Sequence, residues 1–257
     1  MADVLACIDH SAYANGVCDH AAWFASDPDV GVEVLHVEAS SDAEPDTPVL
    51  DGPREVSTRE LVDRYLARLR EEGVGPLSSA SLAGRFVEVA TQRGAAVIVM
   101  GKHGEGSAAQ RHSLGSNVEA MVRATSTPIC LTSSLFLPIH RALVLLDADM
   151  SHRTAVDFVV SQARLSALPT DIVVVAAPGE DPDPKVTWAQ SALGEPRGHV
   201  LALVADGLDD AVAQYMEAGA ADLVIVSRAV VTPAPASRLN RIEERGLWGN
   251  RTPVLIC

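Results

Sequence analysis

Residues 101–116 read GKHGEGSAAQRHSLGS and follow directly on the apolar run AAVIVM. Gly101, Gly104 and Gly106 open the stretch, and Gly115-Ser116 closes it. Residues of these types suit an anion. Glycine lets the backbone come close to a ligand and take dihedrals closed to other residues. Gly115-Ser116 precedes an amphipathic stretch, SNVEAMVRAT, whose first free N–H groups and positive dipole end favour phosphate. Ser116 can cap that helix, donate to a phosphate, or do both in different states. Lys102, His103, Arg111 and His112 are the nearby basic groups. The loop is not a Walker A, because Lys102 follows the first glycine instead of closing a Gly-Lys-Ser/Thr run. It is not a dinucleotide fingerprint either, since that signature opens a helix after a first strand. On spacing alone, a plain glycine-rich surface loop stands as the alternative.

A second piece lies in CIDHSAYA, where Asp9 and Ser11 follow the first apolar run. Asp9 can accept from an amino or ribose hydroxyl group, or simply cap the next helix. Val37 and Met100 can supply apolar walls for a base, while His10 and His36 read equally well as packing or surface residues. No nucleophile elbow, HExxH or spaced Cys/His cluster occurs. No catalytic or metal-ligating residue is therefore assigned, and slow hydrolysis of a bound nucleotide is the most we expect. Cys7, Cys18, Cys130 and Cys257 form no CxxC and read as small buried hydrophobes.

These residues need a scaffold, and the chain supplies one twice. Short apolar runs rich in β-branched residues recur: DVLACI (3–8), VEVLHV (32–37), AAVIVM (95–100) and TPICLT (127–132). They lack clean alternation, as strands buried on both faces do, so they predict a parallel sheet covered by helices. Helical patterns lie between them, at roughly 14–26, 58–73, 85–94 and 116–125. EEG and QRG end two of these with a glycine suited to a left-handed C-cap. PLSSASLAG (76–84) leaves room for one more short strand. The set returns in RALVLLD (141–147), TDIVVVAAP (170–178), HVLALVADG (199–207), GAADLVIVSRA (219–229) and NRTPVLIC (250–257). Matches at similar spacing argue for duplication. The expected fold is α/β: two repeated open parallel five-stranded sheets, each of order 3-2-1-4-5 and flanked by helices. The expected domains are 1–134 and 141–257. In such a sheet the first and fourth strands flank the point where strand order reverses, which sets Asp9 beside Gly101. Acidic, Pro-rich loops at 38–55 and 177–185 follow the second strand of each half and read as exposed.

Bulk composition narrows the partners. The 257 residues carry a formal charge of −14, from 20 Lys+Arg against 34 Asp+Glu. That balance opposes non-specific nucleic-acid binding but leaves room for one backbone cage around a phosphate. No apolar run is long enough for a membrane span, and the N-terminus lacks signal-peptide character, so the cytoplasm is expected.

VLACIDHS, VEVLHVEA, GRFVEVATQRGAAVIVMGKHG and LGSNVEAMVRATSTPICL, with their echoes, resemble the universal stress protein family. The chain looks like a tandem form, with two such domains covering nearly all of it. The resemblance implies an adenine-nucleotide-alpha-hydrolase-like fold. In one branch of the family it implies ATP as ligand, commonly with a divalent ion such as Mg²⁺. That branch carries G-x2-G-x9-G-[S/T], which maps onto Gly101, Gly104, Gly115 and Ser116. The resemblance adds Asp9 for the adenine end and Val37 for the nucleoside pocket, with Met100 just ahead of the first glycine. Here ten residues, not nine, separate Gly104 from Gly115. Either GEG absorbs the surplus residue as a bulge, or Gly115-Ser116 is displaced from the phosphates.

The second half departs further. Its loop reads SRAVVTPAPASRLNRIEERG, with Ser227 in the first glycine's place and Pro233 and Pro235 removing backbone donors. Asp147 is kept. The second domain is thus expected to be a degenerate structural or regulatory partner. Family dimers often pair through fifth strands; TPICLT and TPVLIC doing so within one chain would make a pseudo-dimer, leaving further homodimerisation open. The expected function is a stress-response protein that binds ATP in its first domain as a switch ligand, with an unidentified protein partner. The alternatives are a non-nucleotide interaction protein with both pockets degenerate, and a nucleotide-dependent hydrolase or transferase.

Overall fold

The computed structural model describes residues 4–9, 11–26, 30–35, 79–103, 116–147, 153–176, 178–194, 198–204, 215, 221–228 and 252–257. The chain divides into two compact units, Met1–Phe136 and Leu137–Cys257.

In the first unit, β1 (Val4–Cys7), β2 (Val32–Leu35), β3 (Val97–Gly101) and β4 (Ile129–Thr132) are short and almost wholly buried. β1 pairs in parallel with β2 on one side and β3 on the other, and β3 pairs in parallel with β4. Apolar, β-branched runs without alternation are what a doubly covered parallel sheet demands. Helix α1 (Ala14–Phe24) lies on β1 and β3 and turns Val17, Ala21 and Phe24 inward. Helices α2 (Ser79–Arg93) and α3 (Ser116–Ala124) pack on each other, burying Phe86, Val89 and Ala90 from one and Val118, Met121 and Val122 from the other. α2 stops at Gly94, whose φ is +63°, and the Ala95 amide reaches back to the Ala90 carbonyl at 3.0 Å. That is the left-handed cap expected of QRG.

In the second unit, β5 (Ala142–Asp147), β6 (Thr170–Ala176), β7 (Val200–Val204), β8 (Leu223–Val226) and β9 (Val254–Ile256) run parallel in the order β7-β6-β5-β8-β9. Helices α4 (Thr154–Ser161), α5 (Ala163–Ser166) and α6 (Asp183–Leu193) accompany them. Residues 178–181 of the acidic loop are exposed, as expected, and α6 begins at Asp183 within it.

Two expectations are corrected. Among the described residues the strands form one continuous nine-stranded mixed sheet, β2-β1-β3-β4-β9-β8-β5-β6-β7, and not two separate repeated five-stranded parallel sheets; the first half contributes four described strands, while the second keeps the expected order 3-2-1-4-5 within the larger sheet. An open sheet ends on a row of unpaired backbone donors and acceptors, and extending the sheet satisfies more of them than stopping at five strands. The extra strand for which 76–84 left room does not form over 79–84, which is the start of α2. Ala and Leu are strong helix formers, and SASLAG simply lengthens the amphipathic helix behind it. The helical pattern at 58–73 and the acidic loop at 38–55 lie outside the described residues.

Candidate functional site

The C-terminal end of β1 and that of β3 stand side by side, because Cys7 is in register with Met100. Asp9, two residues past Cys7, and Gly101, one past Met100, therefore leave the sheet at the same end. The sequence runs on from β1 into α1 by a tight turn. The Asp9 Oδ1 accepts from the Ser11 amide at 3.0 Å, and the Ser11 Oγ accepts from the Tyr13 amide at 3.2 Å. Tyr13 is the N-cap residue of α1 and gives no side-chain cap bond. Asp9 thus organises the turn before the helix and does not cap the helix itself.

Gly101 pairs with Thr132 of β4 and does not have a left-handed backbone. Its need for glycine comes from crowding. A Cβ there would lie 2.7 Å from the Tyr13 Cβ and 3.2 Å from the His103 carbonyl oxygen. The Tyr13 ring then meets His103 edge-on, with centroids 5.7 Å apart. Met100 is buried. Ser116 begins α3, so the free N–H groups of that helix start at 116. Glu119 occupies the first turn, where it suits the helix dipole, and it pairs with Arg123 at 3.6 Å. Val37, Gly104 and Gly115 lie outside the described residues. The structure therefore brings Asp9, Met100 and Gly101 to one strand end.

Sequence reading missed how buried the basic groups behind Gly101 are. Lys102 is 1% exposed, His103 6% and His20, on α1, 0%. Burial holds the Lys102 amine down at about 7, with Cys130 partly opposing. Burial pushes His20 down to about 4; its backbone bond to Gly16 opposes this and Lys102 adds to it. His103 is lowered by burial and then by Lys102. The His20 Nδ1 sits 2.6 Å from the Gly16 carbonyl oxygen, and the ring meets Phe136 edge-on. A signal for this face was available. Tyr13, Gly16 and His20 have i, i+3, i+7 spacing, so one side of α1 carries all three. Gly16 brings that side close, since a Cβ there would stand 2.2 Å from the Ser133 carbonyl oxygen.

Among the described residues, no group of three His, Cys, Asp or Glu side chains is placed to hold a metal ion. Nor is any of their helices long and apolar enough to cross a membrane. The four cysteines are buried and unbridged.

A family model described as the universal stress protein family matches residues 1–132. A universal stress protein of Synechocystis is 24% identical over 256 residues, spanning 88% of this chain and 89% of that protein. Among solved structures, a universal stress protein from Archaeoglobus fulgidus superposes with a TM-score of 0.58 at 13% identity, covering 100% of this chain and 96% of that one. A functionally unknown protein from Pseudomonas aeruginosa PAO1 gives the same TM-score, 0.58, and identity, 13%, over 100% and 92% of the two chains. At these identities the solved structures speak to the fold alone.

Proposed function

The chain belongs to the universal stress protein family, and from that premise we propose that its first unit binds ATP as a regulatory ligand in a stress response. One observation carries the reading: Asp9 and Gly101 leave the ends of two neighbouring parallel strands whose Cys7 and Met100 are in register. Ligands of open parallel sheets gather at such carboxyl ends. In this reading Asp9 accepts from the adenine amino group or a ribose hydroxyl, and Val37 and Met100 wall the base. The backbones of Gly101, Gly104, Gly115 and Ser116 hold the phosphates. Mg²⁺ would accompany the nucleotide. Bound ATP would bias the segment 101–116 and so change which protein docks on a cytoplasmic stress protein. The second unit, with Ser227 in the first glycine's place, serves as a structural or regulatory partner in a tandem of two domains.

The test is direct. The full chain is purified, denatured and its released small molecules identified, and ATP–Mg²⁺ binding is then measured by equilibrium dialysis. Binding in the micromolar range, weakened about tenfold or more by Asp9→Ala, is expected for a charged-acceptor contact. No binding at millimolar ATP overturns the reading. One observation favours a second reading, a non-nucleotide interaction protein: the room at Gly101 is filled by the chain's own Tyr13. Under that reading the released fraction holds no nucleotide.

A further inference from the structure

We propose that a nucleotide entering beside Gly101 displaces the Tyr13 ring from His103 and that one of its phosphate oxygens accepts a hydrogen bond from the buried His103 Nδ1. Tyr13 is then a plug and His103 a ligand contact. This rests on the nucleotide reading above and adds how the same site opens and which side chain meets the phosphates.

Both side chains stand at the end of β3. A Cβ on Gly101 would lie 2.7 Å from the Tyr13 Cβ, 3.0 Å from its Cγ and 3.2 Å from the His103 carbonyl oxygen. The Tyr13 and His103 rings meet edge-on, with centroids 5.7 Å apart and planes inclined by 63°. His103 lies between Gly101 and Gly104 in the chain, on the phosphate side of the site as read above. An edge-on aromatic pair is favourable, so this arrangement holds itself shut. It fills the open side of the Gly101 α-carbon, where the lack of a side chain lets a ligand approach closely.

The closed arrangement leaves polar atoms unmet. His103 is buried and its Nδ1 makes no hydrogen bond. Thr132, in register with Gly101 on β4, is buried too, and its Oγ1 also lacks a partner. Buried polar atoms are nearly always bonded, and each one left unmet is costly in a poorly solvated site. Two at one strand end weaken the closed form and leave a hydrogen bond for an incoming group to make. Burial lowers the pKa of His103, so near pH 7.5 its ring is neutral with one N–H to give. A phosphate oxygen accepts that bond, and its negative charge makes the bond stronger than a neutral one.

The turn before α1 joins the plug to the other end of the site. The Tyr13 amide donates to the Ser11 Oγ at 3.2 Å, and the Ser11 amide donates to the Asp9 Oδ1 at 3.0 Å. A ligand group that engages Asp9 therefore acts on the segment that holds the Tyr13 ring against Gly101. Until the ring leaves, the site is closed, and affinity is reduced by the fraction of molecules that are open.

Equilibrium dialysis of the full chain with ATP–Mg²⁺ at pH 7.5, with urea denaturation alongside, tests this. Tyr13→Ala removes the plug and should tighten binding about two- to tenfold, the factor that an edge-on aromatic pair represents. Should Tyr13→Ala lack a urea transition, Tyr13→Leu takes its place with the same expected sign. His103→Phe keeps a ring against Tyr13 and loses the nitrogen. It should weaken binding about tenfold or more while its urea midpoint stays level or rises. Binding by the Tyr13 variant no tighter than by the unaltered protein overturns the inference. So does His103→Phe that binds at full strength, or that loses stability in step with affinity as a merely structural ring would. In those cases ATP binding by the unaltered protein leaves the nucleotide reading standing. Absence of binding in every one of these proteins at millimolar ATP overturns the nucleotide reading and this inference with it.

Discussion

Gly101, the last residue of β3 in the first unit, and Ser227, the residue after β8 in the second, stand at the end of the strand that pairs beside their unit's first strand, yet they meet different neighbours. At Gly101 the space a side chain would need is taken by Tyr13, the residue that opens α1. Ser227 is buried and its Oγ lies 3.3 Å from the Oγ of Thr154, the first residue of α4. Arg153 stands where Tyr13 does, as the residue before the helix. It leans elsewhere, placing its guanidinium 4.9 Å from the Trp188 ring centroid on α6. With no aromatic ring on the strand end, a serine fits and finds a hydroxyl. The exchange of glycine for serine is therefore first a consequence of what opens the neighbouring helix. Ligand chemistry comes second.

The largest effects should come from two glycines that press on backbone carbonyls, one in each unit. A Cβ at Gly16 would lie 2.2 Å from the Ser133 oxygen, and one at Gly198 would lie 1.9 Å from the Thr170 oxygen. Neither neighbour is a flexible side-chain tip, so alanine at either site should cost about 3 kcal/mol in urea denaturation. The consequences should differ. Gly16→Ala pushes on the face of α1 that carries Tyr13 and should weaken ATP binding along with stability. Gly198→Ala, ahead of β7, should spare ATP affinity. Equal loss of affinity in both would break the comparison.

Acid should separate the units almost as strongly. His20 is held down near 4 in the folded protein against an ordinary value of 6.5. A histidine lowered in this way binds fewer protons folded than unfolded, so stability is full above 6.5 and is lost as pH falls toward 4. At about 1.4 kcal/mol per unit, the loss approaches about 3 kcal/mol. The described histidines of the second unit, His140 and His199, are exposed. Hydrogen exchange at pH 4.5 should therefore loosen α1 and β1 before β5 and β6, and the reverse order would count against His20 as the cause.

Much of the scaffold was legible because burial writes itself into composition. VLAC, VIVMG and ICLT need a covered parallel sheet, and the apolar runs between 141 and 257 have the same character. The number of sheets was not legible. The same apolar run serves a strand at an edge or within a longer sheet, and only pairing decides between them. The start of α2 was misread because SASLAG carries no strong periodicity of its own. At the site, Asp9 and Gly101 could be placed together from strand order. The burial of Lys102 could not, since a lysine beside a glycine loop ordinarily reads as exposed. Tyr13 was missed because the reading of Gly101 looked outward for a ligand and not inward to the helix cap.

A smaller effect tests that last point. Gly101→Ala should cost about 2 kcal/mol, because a Cβ must move the Tyr13 side chain away from His103. Tyr13→Gly removes both the Cβ and the Cγ that crowd the position. In a double-mutant cycle the pair should lose less than the sum of the single variants, by about 1 kcal/mol. Strict additivity would show that the His103 carbonyl, and not Tyr13, makes the position intolerant.

The smallest effect belongs to Ser227. Ser227→Ala deletes one hydroxyl from a buried position, and the cost of one neutral hydrogen bond is about 1 kcal/mol. It should fall at or below that figure, because Thr154 is exposed and its hydroxyl can turn to water. Ser227→Gly would restore the glycine of the first unit without Tyr13's counterpart above it, since Arg153 already leans on Trp188. If the strand-end glycine alone made a nucleotide site, this variant would bind a second equivalent of ATP. The sequence after it, with Pro233 and Pro235 and no Gly-Ser pair, offers few backbone donors for phosphates. Stoichiometry should therefore stay at one per chain by equilibrium dialysis. A rise toward two would mean that the two units differ by this residue and not by the loops beyond it.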